Sequence, residues 1–226
     1  MLLGVLFSGG KDSVYAARRA METDSVACLI TMVSADPDSY MFHTPNVAWA
    51  GLIADAIGVP QLSWPTLGEE EAELADLREA IASAKERYGI DGIVTGAIES
   101  VYQAVRVQRI CRELDLWCFN PLWQIDQVDY LKLLVSEGFE VIVTGVFAYP
   151  LDESFVGARI DGPLIKKLEG LRDQYAINPS GEGGEIETIV LDGPIFRRRV
   201  EVLKAVKEYD NYRGRLIIKE ARLVER

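Results

Sequence analysis

The hexapeptide Ser8-Gly9-Gly10-Lys11-Asp12-Ser13 stands between two segments of different periodicity. Before it, residues 2–7 form an almost wholly apolar run, the pattern of a strand buried on both faces in a parallel sheet. After it, residues 12–21 place Ala16, Ala17 and Ala20 on one side of a helix. Two consecutive glycines let the chain turn tightly from strand to helix and let its backbone approach an anion. The helix start then offers N–H groups and the positive end of its dipole to that anion. Ser8 and Ser13 add hydroxyl donors, and Lys11 adds a charge that can follow negative charge as it develops. The hexapeptide therefore predicts the first βα unit of an α/β sheet, with a phosphate cradle at the carboxyl end of its strand.

The alternation continues. Strands are expected at residues 26–33, 59–64 and 92–95. The intervening helices are a segment capped by Thr44-Pro45 and stopped by Gly58, a long helix at 69–88 and another at 99–114. Glu69-Glu70-Glu71 open the long helix, where acidic groups suit the dipole, and Gly89 ends it. Repeated βα units predict a parallel doubly wound sheet with helices on both faces. Beyond Pro121 the regularity fades. Helices are expected at 127–136 and 162–175, strands at 140–146 and 186–191, a basic helix at about 200–209 and a last strand at 215–223. This predicts two domains, residues 1–122 and a smaller α+β domain over 123–226.

Charge restricts the partners. The chain of 226 residues carries 24 Lys+Arg and 35 Asp+Glu, a net charge of −11. From Arg197 onward ten basic residues face five acidic ones, +5, so the preceding 196 residues carry −16. Such a body argues against nucleic-acid binding, which depends on phosphate neutralisation. The tail reads as a solvated helix and strand, or as a contact for an acidic partner. The longest uncharged stretch, residues 39–54, contains His43, Pro45 and Asn46, so a membrane span is not expected. The first residues lead into a core strand without a basic signal region, and Cys28, Cys111 and Cys118 form no CxxC pair. Reduced thiols in a cytoplasmic protein follow. The spacing of Cys111 and Cys118 suits neither a zinc knuckle nor a redox pair. Trp49, Trp64 and Trp117 are assigned to core packing, and His43 to either structure or ligand contact.

The hexapeptide is not a Walker A loop: counting from Gly4 and Gly9, Gly10 stands where lysine is required. Two further motifs carry chemistry. Gly96-Ala97-Ile98-Glu99-Ser100 leads into a helix with Val101, Ala104, Val105 and Cys111 as its expected apolar face. Tyr102, Arg106 and Arg109 lie at i, i+4 and i+7 as a polar stripe, suited to an anion or to solvent. Downstream, Gly181-Glu182-Gly183-Gly184-Glu185-Ile186-Glu187-Thr188 gathers three carboxylates among three glycines. With Glu185 opening a strand, Glu185 and Glu187 would share a face. The pair could bind Mg²⁺, orient ammonium or act as a general base. A mobile acidic loop is the plain alternative.

Ser8–Ser13 resembles the SGGxDS signature of the PP-loop ATP pyrophosphatases. These enzymes split ATP between the α- and β-phosphates, adenylate an acceptor oxygen, and let a nitrogen or sulfur nucleophile displace AMP. Taken with Gly96–Arg106 (GAIESVYQAVR), Pro121-Leu122-Trp123 and Gly181–Thr188 (GEGGEIET), in that order, the chain resembles the diphthine–ammonia ligase family. The resemblance implies a HUP-like (adenine-nucleotide α-hydrolase-like) ATP-binding domain followed by an acceptor-binding domain carrying GEGGEIET. The implied reaction amidates diphthine on elongation factor 2 with ATP, Mg²⁺ and ammonium. By the same resemblance Ser8, Gly9, Gly10, Lys11, Asp12, Ser13 and Gly96 would bind ATP, with Asp12 as the Mg²⁺ ligand. Lys11, Glu182, Glu185 and Glu187 would act in catalysis, and Tyr102, Gln103, Arg106, Thr188 and Trp123 would hold the acceptor. Two other readings stay open: a PP-loop synthetase or amidotransferase acting on another small carboxylate or a nucleobase, and a non-catalytic ATP- or AMP-sensing module. A homo-oligomer is compatible with the chain.

Overall fold

The computed structural model describes residues 1–34, 47–67 and 70–226. The expected Thr44-Pro45 cap, His43 and Glu69 lie outside the described residues. The chain divides into two compact units, Met1–Trp123 and Gln124–Arg226.

In the first unit, β1 (Leu2–Leu6), β2 (Ser25–Ser34), β3 (Gln61–Thr66), β4 (Gly92–Val94) and β5 (Trp117–Phe119) form one parallel sheet in the order β3-β2-β1-β4-β5. The helices between them are α1 (Lys11–Ala20), α2 (Ala50–Ile57), α3 (Glu70–Tyr88) and α4 (Val101–Glu113). The chain steps from β1 out to β3, then returns to β4 on the other side of β1. Right-handed crossovers therefore put α1 and α2 on one face and α3 and α4 on the other. Alternation along the strands supplies both cores. Cys28, Ile30, Met32 and Ile93 pack with Leu77, Ala80, Ile81 and Ala84 of α3 and with Val107, Ile110 and Cys111 of α4. Leu3, Val5 and Leu29, also buried, alternate with these, and α1 packs on β1, β2 and β4 through its buried face.

Three features of this unit were not read from the sequence. The strand β5 goes unseen in the sequence because it is three residues long and lies at the sheet edge. Trp117, expected in the core, starts that edge strand and is 67% exposed, whereas Trp64 does pack against the core. Cys111 and Cys118, both free, are brought near each other by the tight turn from α4 into β5, in which Leu116 N donates to Cys111 O at 2.8 Å. A hydrogen bond between the two thiols pushes Cys111 up and holds Cys118 below the ordinary thiol range.

In the second unit, β6 (Glu140–Val146), β7 (Ile186–Asp192), β8 (Arg199–Asp210) and β9 (Arg213–Val224) form an antiparallel sheet in the order β7-β6-β9-β8. Helices α5 (Gln127–Ser136) and α6 (Gly162–Tyr175) pack on each other. Each starts at an aspartate that takes up free amides. Asp126 accepts from the Val128 and Asp129 N–H groups, and Asp161 from that of Leu164, all at 2.9 Å.

The basic helix expected near 200–209 is instead β8. Asn211 and Tyr212 both adopt positive φ, 43° and 62°, the backbone that closes a two-residue hairpin. Once β9 lies alongside, the backbone groups of residues 199–210 pair across the ribbon, and Arg222 meets Glu201 directly opposite at 2.7 Å. Lys, Glu and Leu favour a helix locally, but Val200, Val202 and Val206 suit a strand, and the hairpin partner decides. The tail's charge is also partly answered. Arg199 pairs with Glu140 and Arg226 with Asp192, both at 3.1 Å.

Core burial makes a direct prediction. Ile81→Ala, at a fully buried position on the core face of α3, should cost about 2–5 kcal/mol, whereas Leu133→Ala, 39% exposed on α5, should cost under about 1 kcal/mol. Urea unfolding of both variants checks the contrast, and equal losses would contradict it.

Candidate active site

The turn after β1 is built without side chains where it is tightest. Gly9 adopts φ +79°, and a Cβ there would lie 2.6 Å from Cδ1 of Ile53 in α2. Gly10 caps α1 with no side-chain hydrogen bond, so the helix's first amides are not covered by a capping group. The serines shape the loop. Gly10 N donates to Ser8 Oγ at 3.3 Å, Ser8 N donates to Ser13 Oγ at 3.2 Å, and Ser13 Oγ donates to the Gly10 carbonyl at 3.1 Å. Behind it Gln61 donates to Thr31 Oγ1, which donates to the Phe7 carbonyl, each at 2.7 Å. These two supporting residues went unread in the sequence, where an isolated Thr and Gln give no signal.

Lys11 is not an exposed, roaming cation. Its side chain is buried, and Nζ lies 2.8 Å from Asp12 Oδ2. Asp12 Oδ1 is buried with no hydrogen-bond partner. A carboxylate with one oxygen held by lysine and the other unused has the chemistry of a Mg²⁺ ligand that shares its ion with phosphate oxygens. Among the described residues no cluster of three or more acidic, His or Cys side chains is arranged to hold a metal by itself.

The loop after β4 closes onto this turn. A Cβ on Gly96 would lie 2.7 Å from the Asp12 backbone carbon and 2.9 Å from Ser13 N, so Gly96 presses directly on the first turn of α1. Since β1 and β4 are neighbours where the strand order reverses, these two loops flank the crevice in which such sheets bind ligands. Thr95 Oγ1 donates to Asn120 Oδ1 at 2.5 Å and accepts from Ala97 N at 3.2 Å, fixing the exit of β4.

On α4 the Ser100 side chain accepts from Gln103 N, and Gln103 itself is exposed. The apolar face differs from expectation. Ala104, Val107, Ile110 and Cys111 are buried, while Val101 and Val105 are 62% and 55% exposed, because the i, i+3, i+7 set through 104, 107 and 111 points at the sheet. Arg106 lies over the Tyr102 ring, 3.3 Å from its centroid, with a buried Nε that has no hydrogen-bond partner. Arg109 turns away to Glu113 at 3.1 Å and behaves as a surface ion pair. Trp123 is half-buried at the end of this unit.

In the second unit the glycine-rich segment is a folded turn rather than a loose loop. Gly181 adopts φ +75°, with its would-be Cβ 2.4 Å from the Ile186 carbonyl oxygen. Glu185 precedes β7, and its Oε1 accepts from Asn178 N at 3.2 Å and Asn178 Nδ2 at 2.7 Å. Gln127 joins this network, donating to Asn178 Oδ1 at 3.2 Å and accepting from Ser180 N and Oγ at 3.0 and 2.8 Å. Glu185 thus holds the turn with one oxygen, and its buried Oε2 carries no hydrogen bond. Glu182 lies within the turn, and Thr188 pairs with Val143 of β6.

Glu187 lies in a different setting. It pairs with Gly145 of β6, and Gly145 pairs on its other side with Arg215 of β9. The glycine leaves a gap in that row, covered by Phe147, whose ring stands 2.6 Å from where a Gly145 Cβ would be. Arg215 lies 5.5 Å from the Phe147 centroid. Burial pushes the Glu187 carboxyl up to about 8, against the opposing pull of Arg215. Gly145, Phe147 and Arg215 escape a sequence reading because they come from β6, the residue after it and β9, whose pairing with each other and with β7 is not visible in it.

The fold and these loops define a class: a doubly wound α/β unit with a glycine turn at its topological switch point, joined in sequence to an antiparallel α+β unit. Family models narrow it. The diphthamide synthase N-terminal domain matches residues 1–117 and the diphthamide synthase C-terminal domain matches residues 126–224. The chain belongs to the diphthine–ammonia ligase family. It is 33% identical to the rat diphthine–ammonia ligase over 221 residues and 32% identical to the human one over 222, in each case covering 89% of this chain and 83% of the relative. A solved structure described as a predicted subunit of tRNA methyltransferase from Methanocaldococcus jannaschii aligns with a TM-score of 0.44 and 17% identity, over 86% of this chain and 98% of that one. No helix among the described residues is long and apolar enough to cross a membrane.

Two outcomes are expected of this geometry. Gly96→Ala drives a methyl into the α1 backbone and should destabilise the first unit by about 1–3 kcal/mol, visible in urea unfolding. An unchanged midpoint would mean that the loop yields freely. For Glu187, between its ordinary value of 4.5 and about 8 the folded state keeps a proton that the unfolded state has lost, so its contribution to stability falls as pH rises through that window. Glu187→Gln should therefore gain stability relative to the parent protein between pH 5 and pH 9, by denaturation at both pH values. A constant difference would rule out the raised value.

Proposed function

We propose that the chain is an AMP-forming, ATP-dependent amide ligase. It adenylates the carboxylate of diphthine on elongation factor 2 and passes the acyl group to ammonia, giving diphthamide, AMP and pyrophosphate. The first unit acts as the ATP-binding domain and the second as the acceptor-binding domain. The observation that carries this reading is the side-chain-free approach of Gly9, Gly10 and Gly96 around the start of α1, in a chain of this family.

The residues divide the work by their chemistry. Amides at the start of α1, with Gly9 and Gly10, receive phosphate oxygens. Ser8 and Ser13 keep the turn in shape for that contact, and Gly96 allows the neighbouring loop to approach. Lys11 holds its charge where negative charge grows on the phosphates as the α–β bond breaks. Asp12 is the residue that would hold Mg²⁺, which supplies further charge neutralisation when bound. Acceptor attack on the α-phosphorus forms the mixed anhydride and releases pyrophosphate. Ammonia then attacks the carbonyl carbon, and AMP leaves with the bonding electrons.

Glu187, protonated over much of the neutral range, becomes a base able to take a proton from the incoming ammonium as pH rises past about 8. Glu185 positions the turn, and Glu182 with Thr188 faces the acceptor. By family resemblance Tyr102, Gln103, Arg106 and Trp123 of the first unit are assigned to the acceptor, with Arg106 over the Tyr102 ring and its Nε buried.

The test incubates the protein with ATP, ammonium and diphthine-bearing elongation factor 2, and follows both nucleotide products and the mass of the factor. AMP and pyrophosphate should form in step with the exchange of one hydroxyl for one amino group. Lys11→Ala should lower turnover at least about 100-fold while unfolding remains cooperative. ADP and phosphate as products, or a factor of unchanged mass, would refute the assignment.

A further inference from the structure

Three tyrosines from separate elements of the second unit meet at the surface. Tyr149 follows β6, Tyr175 ends α6, and Tyr212 lies in the β8–β9 turn. Tyr149 is central. Its ring centroid is 5.3 Å from that of Tyr175 at 89° between planes, and 4.8 Å from that of Tyr212 at 79°. The Tyr149 and Tyr175 hydroxyls also hydrogen-bond. All three remain substantially exposed, Tyr149 at 57%.

Perpendicular rings make the walls of a corner instead of a stacked slab, so a compact cation in the corner meets more than one π face. Elsewhere the protein fills such faces itself. Arg87 lies over Tyr88, Arg106 over Tyr102, Lys167 over Phe155 and Arg215 over Phe147. No cation of the described residues lies over Tyr149, Tyr175 or Tyr212. The cluster also has a definite place. Val146, at the end of β6, pairs with Gly214 at the start of β9 and with Ile186 at the start of β7. Tyr149 and Tyr212 therefore belong to the same end of the sheet as Glu187. Tyr212 is three residues from Arg215 in the Glu187–Gly145–Arg215 row, a backbone span of at most about 10 Å.

We propose that Tyr149, Tyr175 and Tyr212 form a binding site for a methylated ammonium group. Methyl groups weaken hydration of the cation and give it an apolar surface, so it enters an aromatic corner at lower desolvation cost than a lysine ammonium. In one respect the assignment rests on the ligase reading: the ligand would be the quaternary ammonium that diphthine carries beside its reacting carboxylate.

Saturation-transfer NMR with tetramethylammonium chloride tests the site without ATP or acceptor, against ammonium chloride at equal ionic strength. Saturable transfer to the N-methyl protons is expected. Binding should weaken at least about tenfold in Tyr149→Ala and in Tyr212→Ala, and persist in Tyr149→Phe, which keeps the ring. Absence of saturable transfer, equal binding in both alanine variants, displacement by equimolar ammonium, or loss in Tyr149→Phe as severe as in Tyr149→Ala would each overturn the proposal. Probe binding without amidation of the factor would count against the ligase reading alone, and amidation without probe binding against this site alone.

Discussion

The close approach of two backbones at the start of α1 is the constraint on which the first unit depends. Gly96 rests on the backbone of Asp12 and Ser13, and Gly9 rests under Ile53, with no room for a side chain at either contact. Such contacts are possible only if β1 and β4 are neighbours and α2 crosses beside the turn, so they require the reversed strand order and the two helical layers. Apart from Asp12 Oδ1, which is buried without a hydrogen bond, the polar groups named around this turn are satisfied locally. Thr31 and Gln61 hold the Phe7 carbonyl, and Ser8 and Ser13 bond within the loop. Left unpaired in this environment, each would cost more than the bond contributes.

The second unit uses the same device differently. Gly145 removes a side chain from the middle of a row, so that Phe147 can fold over the strand between Glu187 and Arg215. The carboxyl is then kept from water, and burial outweighs the pull of Arg215, raising its titration to about 8. Its neighbour Glu185 shares the motif but does another job, tying Asn178 and, through Gln127 and Ser180, the start of α5 to the glycine turn.

The parallel half was largely legible in the sequence. Apolar runs, alanine faces and glycine stops are local signals, and the resulting elements match them closely, from β1 to the end of α3 at Tyr88. The hexapeptide also read correctly as the turn between β1 and α1. Legibility failed where the deciding partner is distant. Residues 199–210 look helical by composition and become a strand because β9 lies beside them. Trp117 looks like core and is exposed because β5 is an edge. The nearness of Cys111 and Cys118 has no signal in the sequence and arises because α4 and β5 join through a tight turn.

For this protein the sequence alone determined the βα alternation, the glycine turn between β1 and α1, the acidic body and the motifs that point to one family, since each resides in neighbouring residues and their short-range periodicity. Only the tertiary structure decided which side chains share an environment. It buried Lys11 against Asp12, separated Glu185 from Glu187 in role, set Glu187 in a row with Gly145 and Arg215, and gathered Tyr149, Tyr175 and Tyr212. The reason is physical: desolvation, cross-strand pairing and ring contact depend on distances through space, which separation along the chain does not specify.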